Sequence, residues 1–184
     1  SKSTAKSSLK SLPPQLARKR KAAESQQNVA SNADGDWNSK AISMWKNGKY
    51  SDPRKALQYL NTAIKEDPKL SEAYNNRGNA YRDLKNFRRA LQDYQKAINL
   101  NPKFHQAYNN RGNVYFDQNN YQRAIADYNQ SIALNPSYDL AYLNRGLAFH
   151  QLKNDDLACK DFQKACQLGD CDGMNWAKAN GVCR

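Results

Sequence analysis

An all-α solenoid of stacked helix-turn-helix repeats is the fold class this sequence predicts, and three observations carry the prediction. First, the block Ala73-Tyr74-Asn75-Asn76-Arg77-Gly78-Asn79 recurs 34 residues on as Ala107-Tyr108-Asn109-Asn110-Arg111-Gly112-Asn113. It recurs after the same interval as Ala141-Tyr142-Leu143-Asn144-Arg145-Gly146-Leu147. Second, each copy has helical periodicity twice over: Tyr74, Gly78 and Tyr81 share one face, and Ala90, Leu91, Tyr94, Ala97 and Ile98 share another. Third, Asn101-Pro102 and Asn135-Pro136 close the copies, because Pro cannot continue a helix and holds the preceding residue extended. A fixed period of this size marks supersecondary units that bury their apolar faces only by stacking.

The elements follow in chain order. The protein has 184 residues, a formal charge of +12 and a mean hydropathy of −1.00. No run approaches the ~18 consecutive apolar residues that a membrane span needs. Half of the charge sits at the start: Lys2, Lys6, Lys10, Arg18, Lys19, Arg20 and Lys21 against Glu24 give residues 1–33 a net +6. That stretch is rich in Ser, Ala and Gln, contains Pro13-Pro14, and has only Leu9, Leu12, Leu16 and Val29 as larger aliphatics. Such a composition cannot bury enough apolar surface to offset chain entropy, so an extended basic arm is expected, disordered or ordered by a partner.

Four repeats are expected next, at 34–70, 71–104, 105–138 and 139–172. The first is degenerate. Ala56, Leu60, Ala63 and Pro68 fit its second helix, whereas its first helix fits only with Ser51-Asp52-Pro53 inserted after Tyr50, so that Trp37, Ala41 and Met44 take the aromatic, small and large places. Residues 173–184 remain for the capping helix that a solenoid's last apolar face requires.

These motifs resemble the tetratricopeptide repeat family. Its spacing of aromatic, Gly, aromatic, Ala, aromatic, Ala and Pro is met by Tyr74, Gly78, Tyr81, Ala90, Tyr94, Ala97 and Pro102. The third copy along departs at Ser131, and the fourth has Asp170 where Pro stood. The resemblance covers about four-fifths of the chain and implies a right-handed superhelical solenoid whose first helices line a concave, peptide-binding face. The groove residues it implies are Asn38, Ile42 and Trp45, then Asn75, Asn76, Asn79 and Arg82, then Asn109, Asn110, Asn113 and Phe116, and finally Leu143, Asn144 and Leu147. Asn76, Asn110 and Asn144 resemble the asparagine ladder by which some relatives hold a peptide main chain. The other reading of these three is that they bridge adjacent repeats through local hydrogen bonds.

Arg77, Arg111 and Arg145 stand where this family usually has an apolar residue. They form either a triple-arginine anion site or internal ion pairs with Asp93, Asp127 and Asp161, each sixteen residues later. In the first repeat Lys40 and Tyr59 stand at the two places, so Arg and Asp disappear together, which favours the ion pairs.

All four cysteines lie in the last 26 residues. The Cys-x-x-Cys spacing of zinc and haem sites is absent, and His105 and His150 lie outside the cluster, so no metal or cofactor is expected. Cys159 and Cys166 are seven apart, about 10 Å along one helix, too far to bridge each other. With Gly169-Asp170-Cys171-Asp172-Gly173 turning the chain and a short helix running back, the expected disulfides are Cys159–Cys183 and Cys166–Cys171. Disulfides persist in oxidising compartments, and the cysteine pattern resembles envelope members of the family, so a periplasmic, envelope-associated or secreted location is expected if the cysteines are oxidised, and a cytoplasmic one otherwise.

No catalytic constellation is visible, and an enzyme is not expected. The favoured function is a non-catalytic adaptor or scaffold that binds an extended peptide or protein on its concave face. The alternative is an architectural subunit of an extracytoplasmic assembly, docked through repeat surfaces and the arm on an acidic surface. Nucleic acid is disfavoured as partner because the arm lacks an aromatic for base stacking.

Overall fold

The computed structural model describes residues 36–183; the basic arm at 1–33 lies outside the described residues. Nine helices and one two-stranded hairpin are found among them. The first repeat opens with α1 (Trp37–Ser43), the hairpin strands β1 (Trp45–Lys46) and β2 (Lys49–Tyr50), and α2 (Pro53–Glu66). Three helical hairpins follow: α3 (Ser71–Asp83) with α4 (Phe87–Leu100), α5 (His105–Asp117) with α6 (Tyr121–Leu134), and α7 (Asp139–Gln151) with α8 (Asp155–Gln167). The helix α9 (Asp172–Ala179) closes the array.

The same turn chemistry is written three times. After each of α3, α5 and α7 the chain enters the left-handed region at Lys85, Asn119 and Lys153, with φ of 57°, 60° and 60°. The following Asn86, Asn120 and Asn154 then cap the next helix, accepting from the N–H of Arg89, Arg123 and Leu157. Between repeats, the side chains of Asp67, Asn101 and Asn135 turn back on the N–H two residues on, at 2.9, 3.1 and 3.2 Å, with Pro between them to prevent helix continuation. At the last boundary Asp170 makes the same bond, accepting from the N–H of Asp172, without an intervening Pro, and Gly169 before it has φ 116°.

The first repeat departs from the sequence expectation. A full first helix through Met44 is not formed: α1 ends at Ser43, and Met44 is its C-cap. Asn47 and Gly48 both have positive φ (53° and 78°) and connect a hairpin that pairs Trp45 with Tyr50. Asn-Gly is the strongest short hairpin signal because its two residues accept positive φ, and it overrides the helical register here. Trp45 therefore stands on a strand, its ring edge-on to Tyr50 at 4.7 Å, and not on a groove helix.

The core runs down the middle of each hairpin. Second helices place a small, large, small triple against the first helices: Ala56, Leu60, Ala63; Ala90, Tyr94, Ala97; Ala124, Tyr128, Ser131; Ala158, Phe162, Ala165, all buried. The rings close on glycine. A Cβ at Gly78, Gly112 or Gly146 would lie 2.6, 2.7 or 2.8 Å from Tyr94, Tyr128 or Phe162. Gly112→Ala is accordingly expected to destabilise despite Ala's better helix propensity, because overpacking costs about 1–3 kcal/mol against ~1 kcal/mol gained. Urea unfolding of the two proteins checks this.

Ser131 occupies the place that Ala63, Ala97 and Ala165 hold elsewhere. It is fully buried, and its hydroxyl has no hydrogen-bond partner among the described residues. Ser131→Ala should raise stability by about 1 kcal/mol, since it removes an unsatisfied polar group without changing shape much. A raised Tm in a thermal melt is the readout.

Two disulfides tie down the end. Cys159 is bonded to Cys183, with a Cα separation of 5.6 Å, and Cys166 to Cys171. Helix α9 packs on α8, and Trp176 meets the rings of Phe162 and His150 at 6.1 and 5.3 Å. Gly173 sits so close to Leu143 and Phe162 that any Cβ there would clash. Removing the long-range bridge by Cys159→Ala/Cys183→Ala should cost about 3 kcal/mol for a loop of this length. Hydrogen exchange should show the loss concentrated in α9.

Candidate functional site

Helices α1, α3, α5 and α7 form one layer of the solenoid and α2, α4, α6 and α8 the other. Successive first helices touch side to side more closely than successive second helices do, so the array curves with the first helices on its inside. Two periodic polar systems occupy this inner layer, and both were candidates from sequence.

The arginines form the first system. Arg77 donates to both carboxylate oxygens of Asp93 (2.8 and 2.8 Å), Arg111 to those of Asp127 (2.9 and 2.6 Å), and Arg145 to those of Asp161 (2.8 and 2.7 Å). The remaining Nη1 reaches the preceding repeat, bonding Asn61, Gln95 and Asn129 in turn. Each guanidinium also lies over an aromatic ring, Tyr74, Tyr108 or Tyr142, at 5.4 to 5.6 Å. One side chain thus joins three helices across two repeats. The Asp93, Asp127 and Asp161 carboxylates are buried. Burial pushes Asp127 and Asp161 up from the ordinary carboxylate value, against the pull of their guanidiniums. The bond to the carboxylate raises Arg77 and Arg111 in turn. With every arginine neutralised bidentately, these residues are structural, not an anion site. In the first repeat Lys40 instead stacks on Trp37 at 4.0 Å, and the Trp37 indole N–H donates to Glu66.

The asparagines form the second system, and here the groove expectation is corrected. Asn76 donates its amide to Asn38 (2.9 Å), Asn110 to Asn75 (3.0 Å) and Asn144 to Asn109 (2.9 Å). Asn75 donates to its neighbour Asn76, and Asn109 to Asn110, at 3.4 and 3.5 Å. Six side-chain amides therefore make one continuous chain from the fourth repeat to the first, all pointing the same way. All six are buried, and Asn75, Asn109, Asn110 and Asn144 have no exposed surface. Buried amides must be hydrogen-bonded, and these satisfy one another between repeats, so the bridging role is the one the structure shows. Leu143 and Leu147 are also not groove residues: both are fully buried in the core of the last repeat, beneath the capping segment.

Other candidates keep a place on the inner layer. The Tyr94 hydroxyl donates to Asn79 Oδ1 (2.7 Å) and the Tyr128 hydroxyl to Asn113 Oδ1 (2.8 Å), and both asparagines are buried. Arg82 is buried, Phe116 is half-buried and edge-on to Tyr121 at 5.2 Å, and Ile42 is half-buried on α1. No signal in one sequence separates Asn79 and Asn113 from the ladder asparagines, except that each lies fifteen residues before a core Tyr.

Charge is divided between the layers. With the three ion pairs set aside, the first helices carry Lys40 and Arg82 against Glu72, Asp83, Asp117 and Asp139, a net −2. The second helices carry nine Lys and Arg against Glu66, Asp155 and Asp156, a net +6. Asp83 accepts from the Tyr50 N–H at 2.8 Å, and burial with that carboxylate raises the Tyr50 phenol. Among the described residues no group of three or more His, Cys, Asp or Glu could hold a metal ion, and no helix is long and apolar enough to cross a membrane.

Comparison with known proteins adds the following. Profiles described as tetratricopeptide repeat match residues 71–104, 93–126 and 140–168, and one described as TPR repeat matches 112–153. The crystal structure of MamA is similar, with 31% identity over 63% of this chain and 68% of that one, at a TM-score of 0.59. A second MamA structure, residues 41 to the end from Desulfovibrio magneticus RS-1, shares the fold at 23% identity. It covers 74% of this chain and 78% of its own, with a TM-score of 0.61. No curated protein matches the sequence.

Proposed function

We propose that this chain, which belongs to the tetratricopeptide repeat family, is a protein-interaction scaffold that takes an extended peptide segment along the inside of its curve and catalyses nothing. One observation carries the reading: α1, α3, α5 and α7 lie side by side in one layer held in register by the amide chain, and on it Ile42, Phe116 and His150 keep part of their surface exposed. An extended chain carries side chains at regular intervals, and a preformed layer that offers partly exposed apolar and aromatic residues at successive repeats suits such a ligand. The ladder asparagines hold the repeats in register.

Panning a random linear peptide library against the full chain tests the reading. Enriched peptides should lose binding to Ile42→Ala/Phe116→Ala, with the helical circular dichroism unchanged, and keep it with Arg88→Ala/Arg89→Ala on the outer layer. Enrichment that survives the inner-layer changes would place the site elsewhere. The outer layer's net +6 supports a second use, docking of the scaffold on an acidic surface of a larger assembly. The paired cysteines support an oxidising, extracytoplasmic location.

A further inference from the structure

We infer that the edge of the solenoid formed by the turns of its first two repeats docks on an anionic lipid surface. The inference rests on the second use given above, docking on an acidic surface, and names its place and chemistry; the peptide site is separate from it. Seven cations crowd this edge. Lys46 and Lys49 lie on the hairpin, and Arg54 and Lys55 in the first turn of α2. Lys85 follows α3, and Arg88 and Arg89 lie in the first turn of α4. All seven are exposed, and among the described residues none is in an ion pair. The two turns are joined, since the Tyr50 N–H donates to the Asp83 carboxylate at 2.8 Å. Residues 44–55 and 83–89 hold only Asp52 and Asp83 as acids, a net +5, and Asp52 already accepts from the Lys55 N–H as the cap of α2.

The fold does not ask for these cations. A cation in the first turn of a helix opposes the helix dipole, and acidic residues suit that place. Helix α8 follows the rule with Asp155 and Asp156, whereas the first turns of α2 and α4 hold no acid and two cations each. Lys55 and Arg89 lie over the rings of Tyr59 and Tyr81 at 5.9 and 5.4 Å, but no carboxylate pairs with any of the four among the described residues. A local rule broken at two neighbouring helices without an ion pair in return marks a surface set by what it meets.

Apolar side chains decide which kind of anionic surface that is. Leu84, Leu152 and Leu157 are the exposed large hydrophobic residues among the described ones, at 39, 39 and 37%. Leu84 and Leu152 are the C-caps of α3 and α7, and Leu157 lies in the first turn of α8, so all three stand at turns within a repeat. At the other edge, where one repeat passes to the next, Leu70 and Leu168 are half-buried and Phe104 and Tyr138 are buried. Leu84 sits inside the basic cluster, next to Lys85. A dissolved acidic polymer offers nothing to an exposed leucine. A lipid surface takes the cations at its headgroups and the leucine just beneath them.

Co-sedimentation of the full chain with vesicles tests this. The chain should bind vesicles of mixed phosphatidylcholine and phosphatidylglycerol and not vesicles of phosphatidylcholine alone. Affinity should fall at least about tenfold in Arg54→Glu/Lys55→Glu/Arg88→Glu/Arg89→Glu, given what each cation contributes near an anionic membrane. Glu in a first turn suits the helix dipole, so this variant keeps its fold, which circular dichroism checks. Lys65→Glu/Lys96→Glu/Lys103→Glu/Lys164→Glu makes the same change of net charge at exposed places away from the edge. It should keep most of the binding, because charges farther away than about 8 Å are screened at physiological salt. Both variants retain residues 1–33, so the difference between them belongs to the edge. Equal losses in the two would overturn the proposal. Leu84→Ser should weaken vesicle binding and leave binding to polyglutamate beads as it was; full vesicle binding by this variant would rule out the lipid contact. A parent chain that ignores the vesicles but holds polyglutamate through the four edge cations would also sink the lipid surface, and would leave docking on an acidic surface standing.

Discussion

Arg111→Ala lowers the stability of the solenoid by about 3 kcal/mol, the low end of what breaking a buried ion pair costs. The mechanism is the carboxylate left behind. Asp127 keeps only 8% of its side-chain surface exposed and loses both bonds from the guanidinium. Gln95 on the preceding repeat loses its partner at the same time, so the change loosens a repeat boundary as well as a helical hairpin. Arg111→Lys should recover little, because an ammonium cannot make the two parallel bonds and the contact to α4 together. The double change Arg111→Leu/Asp127→Leu should recover most of the loss, since it removes both charges and restores an apolar contact between α5 and α6. Urea unfolding of the four proteins gives the comparison. If Arg111→Ala stays within ~0.5 kcal/mol of the parent, the pair behaves as a surface salt bridge and the argument fails.

Asn110→Ala is expected to cost about 3 kcal/mol, by a different route. It leaves Asn75 Oδ1 and Asn109 Nδ2 without the partner each has now, both at zero exposure, and each buried unsatisfied group costs about 1–3 kcal/mol. The damage falls on the junction between the second and third repeats rather than inside either. Repeat arrays unfold cooperatively because neighbours couple, so the urea transition should broaden as well as shift. Asn110→Asp should be worse than Ala: it sets a carboxylate oxygen against Asn75 Oδ1, two acceptors with no proton between them. Hydrogen exchange should report faster opening at the α3–α5 contact in both variants. A sharp, merely shifted transition would mean the ladder adds stability without coupling the repeats.

The solenoid could be read from sequence because the chain makes the same local decisions repeatedly. Asn-Pro stops, glycines facing rings and Ala-aromatic-Ala triples recur at one interval, and each copy confirms the next. The first helix of the first repeat lacks that confirmation, since a helical alignment through Met44 competed with Asn47-Gly48 and the local turn won. The arginines could also be assigned, because the first repeat loses Arg and Asp together, and covariation inside one chain implies contact. The asparagines could not. A common interval says that Asn76, Asn110 and Asn144 share a register, but the twist between repeats decides whether that register faces a groove or the next repeat. Leu143 and Leu147 misled for a related reason: apolar residues on an inner face read as a pocket until the cap that covers them is placed.

The amide chain also has an address for each of its ends. In the first three repeats the residue after the aromatic accepts from the following repeat; in the last three the residue after that donates to the preceding one. Asn38 begins the series as an acceptor, and Ser39 at the donor place bonds Asp36 instead of a neighbour. At the far end Asn144 donates, but the acceptor place beside it is Leu143, closed over by Gly173. A duplicate of the second or third repeat inserted between them would find a matching amide on both sides. One appended after the fourth would set an asparagine against a leucine. The number of repeats is thus fixed at one residue, and Leu143→Asn with α9 removed is the form in which the array would accept another unit.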